Sequence, residues 1–218
     1  MPNSEKLRYL RKNYGISVLE LEKMEADPYT EFKQWFSKAL SCEEIDEANI
    51  MVLASSGENM QPSARIVLLK GFEPDGLIFY TNYKGRKGEQ LAENPRASLL
   101  FFWGPLERQV RIEGKVEKVS PEASDEYFHS RPKGSQLGAI ASEQSTEIPS
   151  RKVLEDRLSE LEKKYANTDK IPRPEHWGGY ILKPHYWEFW QGRPNRLHDR
   201  IAYQLDGSGE WKMSRLAP

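Results

Sequence analysis

The sequence lacks the residues and motifs that mark many common cofactor and metal sites. Cys42 is the only cysteine among 218 residues, so an intrachain disulfide is impossible and a cysteine-based zinc site is not expected. The four histidines show no metal-ligand spacing. No Gly-x-Gly-x-x-Gly or Walker loop is present, which argues against a Rossmann or P-loop nucleotide site. The absence of a Gly-x-Ser-x-Gly elbow leaves serine-hydrolase chemistry without support.

The chain also lacks an excess of charge of one sign and a long apolar run. Its formal net charge is −1, whereas a general nucleic-acid or membrane-surface binder usually carries a large basic excess. No segment approaches the length of a membrane span, and the polar residues 1–11 do not resemble a signal peptide. We therefore expect a cytoplasmic protein that binds neither nucleic acid nor membrane.

The hydrophobic pattern predicts a mainly β protein with flanking helices, an α+β fold with an antiparallel sheet or barrel. Runs rich in β-branched and aromatic residues predict strands over 50–54, 64–69, 77–80, 97–103, 110–119, 179–189, 197–205 and 211–216. Helical spacing and cap signals predict helices over 5–13, 84–93, 121–131, 135–141 and 151–165. Another helix should start at Asp27-Pro28 and place Phe32, Trp35, Phe36, Ala39 and Leu40 on one apolar face. Because both ends of the chain are expected to contribute to one sheet, we expect a single domain over 27–218 after a mobile N-terminal segment, 1–26.

Three cationic side chains occupy every second position of a segment near the C-terminus. In an extended strand, Arg196, His198 and Arg200 would share one face, with Leu197 pointing the opposite way, into a core. Such groups repel one another unless an anion lies among them. The aromatic run over 187–190 could supply a flat wall, so the pattern predicts a pocket for a planar, negatively charged molecule. An edge strand with solvated charges explains the same spacing.

Two further clusters fit phosphate groups. Arg86 and Lys87 begin a short predicted helix, where free backbone N–H groups and the helix dipole attract anions. Tyr127 and Arg131 are four residues apart and so share a helix face, and Ser135 lies at the start of the next helix. A solvated basic turn and an arginine at a helix end are the alternative interpretations.

Several motifs, in order, resemble the pyridoxine (pyridoxamine) 5′-phosphate oxidase family from about residue 27 to the C-terminus. They are Arg65-Ile-Val-Leu-Leu-Lys70, Phe79-Tyr-Thr-Asn82, Arg86-Lys87, Leu106-Glu-Arg-Gln-Val110, Tyr127-Phe-His-Ser-Arg-Pro132, Glu188-Phe-Trp-Gln-Gly192, Arg196-Leu-His-Asp-Arg200 and Arg215-Leu-Ala-Pro218. The resemblance implies an FMN-binding split β-barrel that works as a homodimer with FMN at the interface. It implies oxidation of pyridoxine 5′-phosphate and pyridoxamine 5′-phosphate to pyridoxal 5′-phosphate, with O2 reduced to H2O2.

The resemblance also implies roles for individual residues. The FMN site would comprise Arg65, Ile66, Val67, Leu68, Leu69, Lys70, Tyr80, Thr81, Arg86, Lys87, Gln109, Gln144, Ser145, Trp190 and Arg200, some of them from the partner subunit. The substrate phosphate would meet Lys70, Tyr127, Arg131 and Ser135. Arg196 and His198 would be the catalytic pair over the pyridine ring, and Arg11 and Tyr14 would belong to a segment that folds over the site.

The chain departs from the family pattern at two places. Gly85 stands where relatives often have serine before the Arg-Lys pair, which removes a hydroxyl and leaves a backbone N–H. The segment after Tyr14 lacks a Gly-rich, basic run. Two other functions stay open: a barrel that stores or senses FMN without turnover, and a split-barrel reductase that uses another flavin or a nicotinamide partner. Residues that would serve a second ligand, Arg131 and His198 among them, argue against simple storage.

Overall fold

A computed structural model describes residues 4–73 and 76–218, which divide into two compact units. The C-terminal unit contains the described residues up to Ala48 together with Leu100–Ile112 and His185–Pro218. The central unit contains Asn49–Leu99 and Glu113–Pro184. Three long strands run from one unit into the other: β5 (Arg96–Trp103), β6 (Arg108–Lys118) and β7 (Trp177–Gln191).

The C-terminal unit begins with two helices, α1 (Ser4–Tyr9) and α2 (Pro28–Leu40). The Asp27 carboxylate accepts hydrogen bonds from the backbone N–H groups of Tyr29 and Thr30, the second and third residues of α2, as the cap signal predicted. Phe32, Trp35 and Ala39 are buried, whereas Leu40 is 63% exposed. The prediction for Leu40 was wrong because the buried face of α2 ends one residue earlier. Helix α1 stops at Tyr9, four residues before the predicted end.

Besides the parts of β5 and β6 that enter this unit, its sheet contains the end of β7 together with β8 (Asp199–Leu205) and β9 (Trp211–Leu216), and β8 pairs antiparallel with both β7 and β9. Its apolar side packs on α2: the ring centroids of Trp35 and Phe189 are 5.1 Å apart. Strand β8 starts two residues later than predicted, because a short 3₁₀ turn occupies Pro194–Arg196. Leu197 follows that turn and is 69% exposed, so its predicted inward orientation was wrong.

The central unit contains the antiparallel pairs β1 (Ile50–Ser55) with β2 (Ser63–Leu68), and β3 (Gly71–Glu73) with β4 (Gly76–Asn82). Strand β4 also pairs with β7. The sequence did not indicate β3, which has only three residues. Four helices complete the unit: α3 (Arg86–Glu93), α4 (Pro121–Ser130), α5 (Lys133–Ala141) and α6 (Lys152–Lys164).

The strand order β2-β1-β5-β6-β7-β4-β3 does not close on itself, and β8 and β9 extend from β7. The mainly β, antiparallel fold with flanking helices is therefore confirmed, and the open sheet agrees with a split barrel. Among the described helices, none has the length and apolarity needed to cross a membrane. The division into a mobile segment 1–26 and one domain over 27–218 stays a prediction.

Candidate active site

A cavity of about 890 Å³ in the central unit gathers most of the predicted phosphate-binding residues. Strands β2 and β4 form one side, and the ends of α4 and α5 form another. The lining residues are Arg65, Ile66, Val67, Leu68, Lys70, Tyr80, Thr81, Asn82, Lys87, Tyr127, Arg131, Pro132, Ser135, Gly138, Ala139, Ser142, Gln144 and Trp177. Three predicted FMN residues of this unit, Leu69, Arg86 and Ser145, lie outside that lining.

Arg65 is held by a polar network that the sequence did not reveal. Its Nη1 donates to Ser55 Oγ at 2.6 Å, and its Nη2 lies 3.3 Å from Gln90 Oε1. The same Gln90 oxygen accepts hydrogen bonds from Ser55 and Ser63, at 2.9 and 2.8 Å. Burial, and then the charge of Arg86, lower the pKa of Arg65. The network fixes the guanidinium through neutral partners and leaves its charge uncompensated.

The start of α3 presents cations and backbone N–H groups together. Gly85, the residue just before α3, is the N-cap of this helix and provides no side-chain hydrogen bond to it. The Arg86 backbone N–H donates to Ser145 Oγ at 3.2 Å, and Lys87 Nζ donates to Gln144 Oε1 at 2.6 Å. Burial, followed by the charge of Arg65, lowers the pKa of Lys87. These groups suit a phosphate at the helix N-terminus.

An aromatic stack forms another part of the cavity. The rings of Tyr80 and Tyr127 stack with centroids 3.9 Å apart, and Trp177 lies nearly parallel to both. The Arg131 guanidinium carbon is 4.7 Å from the centre of the Trp177 ring, a cation–π distance. Arg131 Nη1 is buried and has no hydrogen-bond partner. Burial lowers the pKa of Arg131, and a buried donor without a partner is well suited to an incoming anion.

The cations around this cavity have no carboxylate partner among the described side chains. The ion pairs of the described residues include none of Arg65, Lys70, Arg86, Lys87 and Arg131. Concentrated positive charge that the protein itself does not neutralise favours binding of anionic groups. The donor set therefore fits phosphate-bearing ligands, while no group of three or more potential metal ligands occurs in residues 4–73 and 76–218.

A second cavity, of about 590 Å³, lies in the C-terminal unit. It brings together the predicted residues Arg11, Tyr14, Arg196 and His198. The Tyr14 ring packs edge-on against Trp190 and His198, with centroids 5.7 and 5.8 Å away. The structure thus places the N-terminal segment beside the predicted catalytic pair within this unit.

The geometry around His198 differs from the predicted continuous strand. Arg196 belongs to the 3₁₀ turn and has a left-handed backbone, with φ of 62°. The backbone N–H of Arg193 donates to His198 Nδ1 at 3.1 Å. Because that lone pair is occupied, neutral His198 carries its proton on Nε2 and can donate it in a hydrogen bond.

Arg200 already has an anionic partner within the protein. This corrects the prediction that Arg196, His198 and Arg200 together surround one external anion. Its guanidinium binds Glu188 through two hydrogen bonds, and Glu188 also accepts from Arg111 at 2.7 Å. Burial disfavours the Glu188 charge, but the contacts with Arg200 and Arg111 outweigh burial and lower its pKa. Trp190 pairs with Arg200 across β7 and β8. Gln109 lies half-buried in β6.

Four residues at or behind the central cavity were not predicted from the sequence: Gln90, Ser55, Ser63 and Trp177. Gln90 lies within the predicted α3, but no pattern indicates that its amide reaches β1 and β2. Trp177 was assigned to no element, because it lies just before the predicted start of β7.

Comparisons with known proteins identify the family of this chain. The model of the pyridoxamine 5′-phosphate oxidase family matches residues 40–165, and that of the pyridoxine 5′-phosphate oxidase C-terminal dimerisation region matches residues 177–218. The pyridoxine/pyridoxamine 5′-phosphate oxidase of Cupriavidus pinatubonensis is 54% identical over 209 residues, covering 96% of this chain and 97% of that protein. The enzyme of the same name from Salinibacter ruber is 51% identical over 214 residues, covering 98% and 99%.

Solved structures show the same fold. PhzG from Burkholderia lata 383, determined in complex with tetrahydrophenazine-1-carboxylic acid, is 29% identical with a TM-score of 0.87, covering 95% of this chain and 100% of that one. An FMN-binding protein from Nostoc punctiforme related to pyridoxamine 5′-phosphate oxidase has a TM-score of 0.70 at 18% identity, covering 89% and 100%. From the family match and the full-length relatives, this chain belongs to the pyridoxine/pyridoxamine 5′-phosphate oxidase family of oxidoreductases.

Proposed function

We propose that this protein uses FMN and O2 to oxidise pyridoxine 5′-phosphate and pyridoxamine 5′-phosphate to pyridoxal 5′-phosphate. Relatives more than 50% identical over nearly their full length bear the corresponding name. The observation that carries the proposal is the central cavity, in which unpaired cations surround a stack of aromatic rings. A flavin phosphate and a phosphorylated pyridine both match that chemistry.

The residues around β2 and α3 suit the cofactor. In this proposal Arg65, Lys87 and the positive end of the α3 dipole hold the FMN phosphate. Gln144 and Ser145, already bonded to Lys87 and Arg86, fix that end of the site. Bound FMN would take two electrons from the substrate carbon and pass them to O2, giving H2O2. The remaining FMN contacts would come from the β2 residues Ile66 to Lys70 and from Tyr80, Thr81, Gln109, Trp190 and Arg200, some in the partner subunit.

The substrate phosphate would meet Arg131, Tyr127, Ser135 and Lys70. Arg131 is pre-oriented, because its guanidinium packs on Trp177 and its carbonyl accepts from Gln136 at 2.8 Å. A hydrogen bond to a charged group contributes about 1.5–3 kcal/mol. Unphosphorylated pyridoxine should therefore be a far poorer substrate, since it leaves these cations unpaired.

Arg196 and His198 are proposed to act on the reacting carbon's oxygen or nitrogen. The hydrogen bond from Arg193 to Nδ1 leaves His198 Nε2–H as a donor. In this role the Nε2–H of His198 orients the substrate heteroatom, and Arg196 stabilises the negative charge that develops there as the heteroatom's proton passes to water. Oxidation of the alcohol removes one hydride and one proton. Oxidation of the amine gives an imine that water converts to the aldehyde and ammonia.

We also propose that the protein works as a cytoplasmic homodimer with FMN at the subunit interface. The match of residues 177–218 to the family's dimerisation region supports this assembly. Light scattering on the FMN-loaded protein should give twice the mass of the 25.3 kDa chain.

The decisive assay measures O2 uptake by the purified, FMN-loaded protein with both phosphorylated substrates. We expect a yellow protein that consumes O2 and forms one aldehyde per O2, with little turnover of unphosphorylated pyridoxine. Arg131→Met should raise KM for the phosphorylated substrates and leave FMN binding intact. A yellow protein without turnover would favour FMN storage, and turnover only with a nicotinamide partner would favour a reductase. A protein that cannot be loaded with FMN would contradict both the oxidase and FMN storage.

A further inference from the structure

We propose that Glu107 is a positioning residue whose buried carboxylate anchors residues 12–16, so that Tyr14 stays packed beside His198. The inference rests on the proposed function, since it assigns Tyr14 and His198 to the substrate site. Glu107 belongs to the motif Leu106-Glu-Arg-Gln-Val110, in which only Gln109 has a proposed role.

The carboxylate of Glu107 is aimed at the N-terminal segment. Its Oε2 accepts hydrogen bonds from the backbone N–H groups of Gly15 at 2.7 Å and Ile16 at 3.1 Å. Lys12 Nζ lies 3.6 Å from Oε1. The Glu107 residue is only 2% exposed, and a buried carboxylate is stable only when such donors compensate its lost hydration. Burial opposes its ionisation, but these contacts outweigh burial and lower its pKa.

The backbone at Glu107 is unusual for this residue type. Its φ of 54° lies in the left-handed region, where glycine or asparagine is the common choice. The Glu107 carbonyl accepts from the Gly192 N–H at 2.8 Å, which ties this turn to the end of β7. Because glutamate has no conformational advantage there, its side chain supplies the reason for its presence.

The anchored segment shapes the second cavity. Tyr14 contacts Trp190 and His198, and a Cβ added to Gly192 would come within 2.7 Å of Tyr14. Glycine at 192 therefore leaves space for the tyrosine, and the carboxylate fixes the backbone that carries it. Loss of the anchor should free one wall of the cavity and leave the cation cluster of the central cavity unchanged.

The test compares Glu107→Gln with the wild-type holoenzyme. Glutamine keeps the size of the side chain but loses the charge, and Glu117→Gln on the exposed part of β6 is the matched control. Hydrogen exchange should show at least tenfold less protection of the Gly15 and Ile16 amides in Glu107→Gln only. With pyridoxine 5′-phosphate, KM should rise about tenfold, while kcat and FMN affinity stay within twofold of wild type.

A double-mutant cycle with Tyr14→Ala separates positioning from a general structural defect. If Glu107 acts through Tyr14, Glu107→Gln should add no further increase in KM to the Tyr14→Ala protein. Unchanged exchange at Gly15 and Ile16 would overturn the anchor, and lost protection with unchanged KM would overturn the positioning role. Exchange requires no substrate, so failure of the oxidase assay would leave the anchor measurable and would count against the proposed function alone.

Discussion

Glu188 binds the guanidinium of Arg200 through two hydrogen bonds, at 3.0 Å from Nε to Oε1 and 2.9 Å from Nη2 to Oε2. The two residues lie on the neighbouring strands β7 and β8. The carboxylate is nearly buried, with its side chain 4% exposed, and the Arg200 side chain is 28% exposed. A two-point contact of this kind fixes the plane of the guanidinium before any ligand arrives.

Replacing Glu188 by glutamine should both destabilise the protein and release Arg200. We expect the free energy of unfolding to fall by about 1–2 kcal/mol, less than for a fully buried pair because Arg200 is partly exposed. FMN affinity should fall about threefold to tenfold if Arg200 contacts the cofactor. Chemical denaturation and fluorescence titration measure the two effects. Glu117→Gln, which breaks the exposed pair with Lys183, should change neither measurably.

The contribution of Glu188 to stability should depend on pH. Its pKa lies below the ordinary value of 4.5, so the folded state favours the charged form. The stabilisation is therefore fully present above the unfolded-state pKa and is lost as pH falls through the lowered folded-state pKa. The difference in unfolding free energy between wild type and Glu188→Gln should be constant from pH 7 to about pH 5. Denaturation curves in which that difference grows on acidification would contradict this sign.

Gln90→Glu should weaken FMN binding without unfolding the protein. A carboxylate at this position would accept the same hydrogen bonds from Ser55, Ser63 and Arg65, and would neutralise the guanidinium. We expect apo-protein stability to be unchanged or higher and FMN affinity to fall at least tenfold. Glu89→Gln, on the exposed face of the same helix, is the control. Equal FMN affinity in Gln90→Glu and wild type would show that Arg65 does not bind the cofactor phosphate.

Two glycine substitutions should act in opposite directions. A Cβ on Gly88 in α3 would collide with the Tyr83 carbonyl, whereas one on Gly134 in α5 meets no atom within 4 Å. Gly88→Ala should cost about 1–3 kcal/mol of stability by overpacking, and should displace the helix that carries Lys87.

Gly134→Ala should instead stabilise the protein by about 0.4–1 kcal/mol, because alanine restricts the unfolded chain. Thermal unfolding with and without FMN tests both, and destabilisation by Gly134→Ala would contradict the expectation.

Local patterns were sufficient for most elements of the fold. Cap signals predicted the start of the helix at Asp27-Pro28 and of the helix over 121–131, and Asp27 and Ser120 cap these helices in the structure. Alternation and turn residues located the strands but not β3, which is too short to show a period. The extended conformation considered for residues 196–200 was wrong at Arg196, because that residue has a left-handed backbone.

The sequence by itself determined the fold class, the family resemblance and the residue types of two anion-binding clusters. Periodicity and capping depend on neighbours within a few positions, so a single chain displays them directly. Only the tertiary structure showed that Gln90 holds Arg65, that Glu188 pairs with Arg200, and that Glu107 binds the backbone of Gly15 and Ile16. Those partners are separated by 12 to 92 residues along the chain, and which of them meet depends on strand pairing and packing.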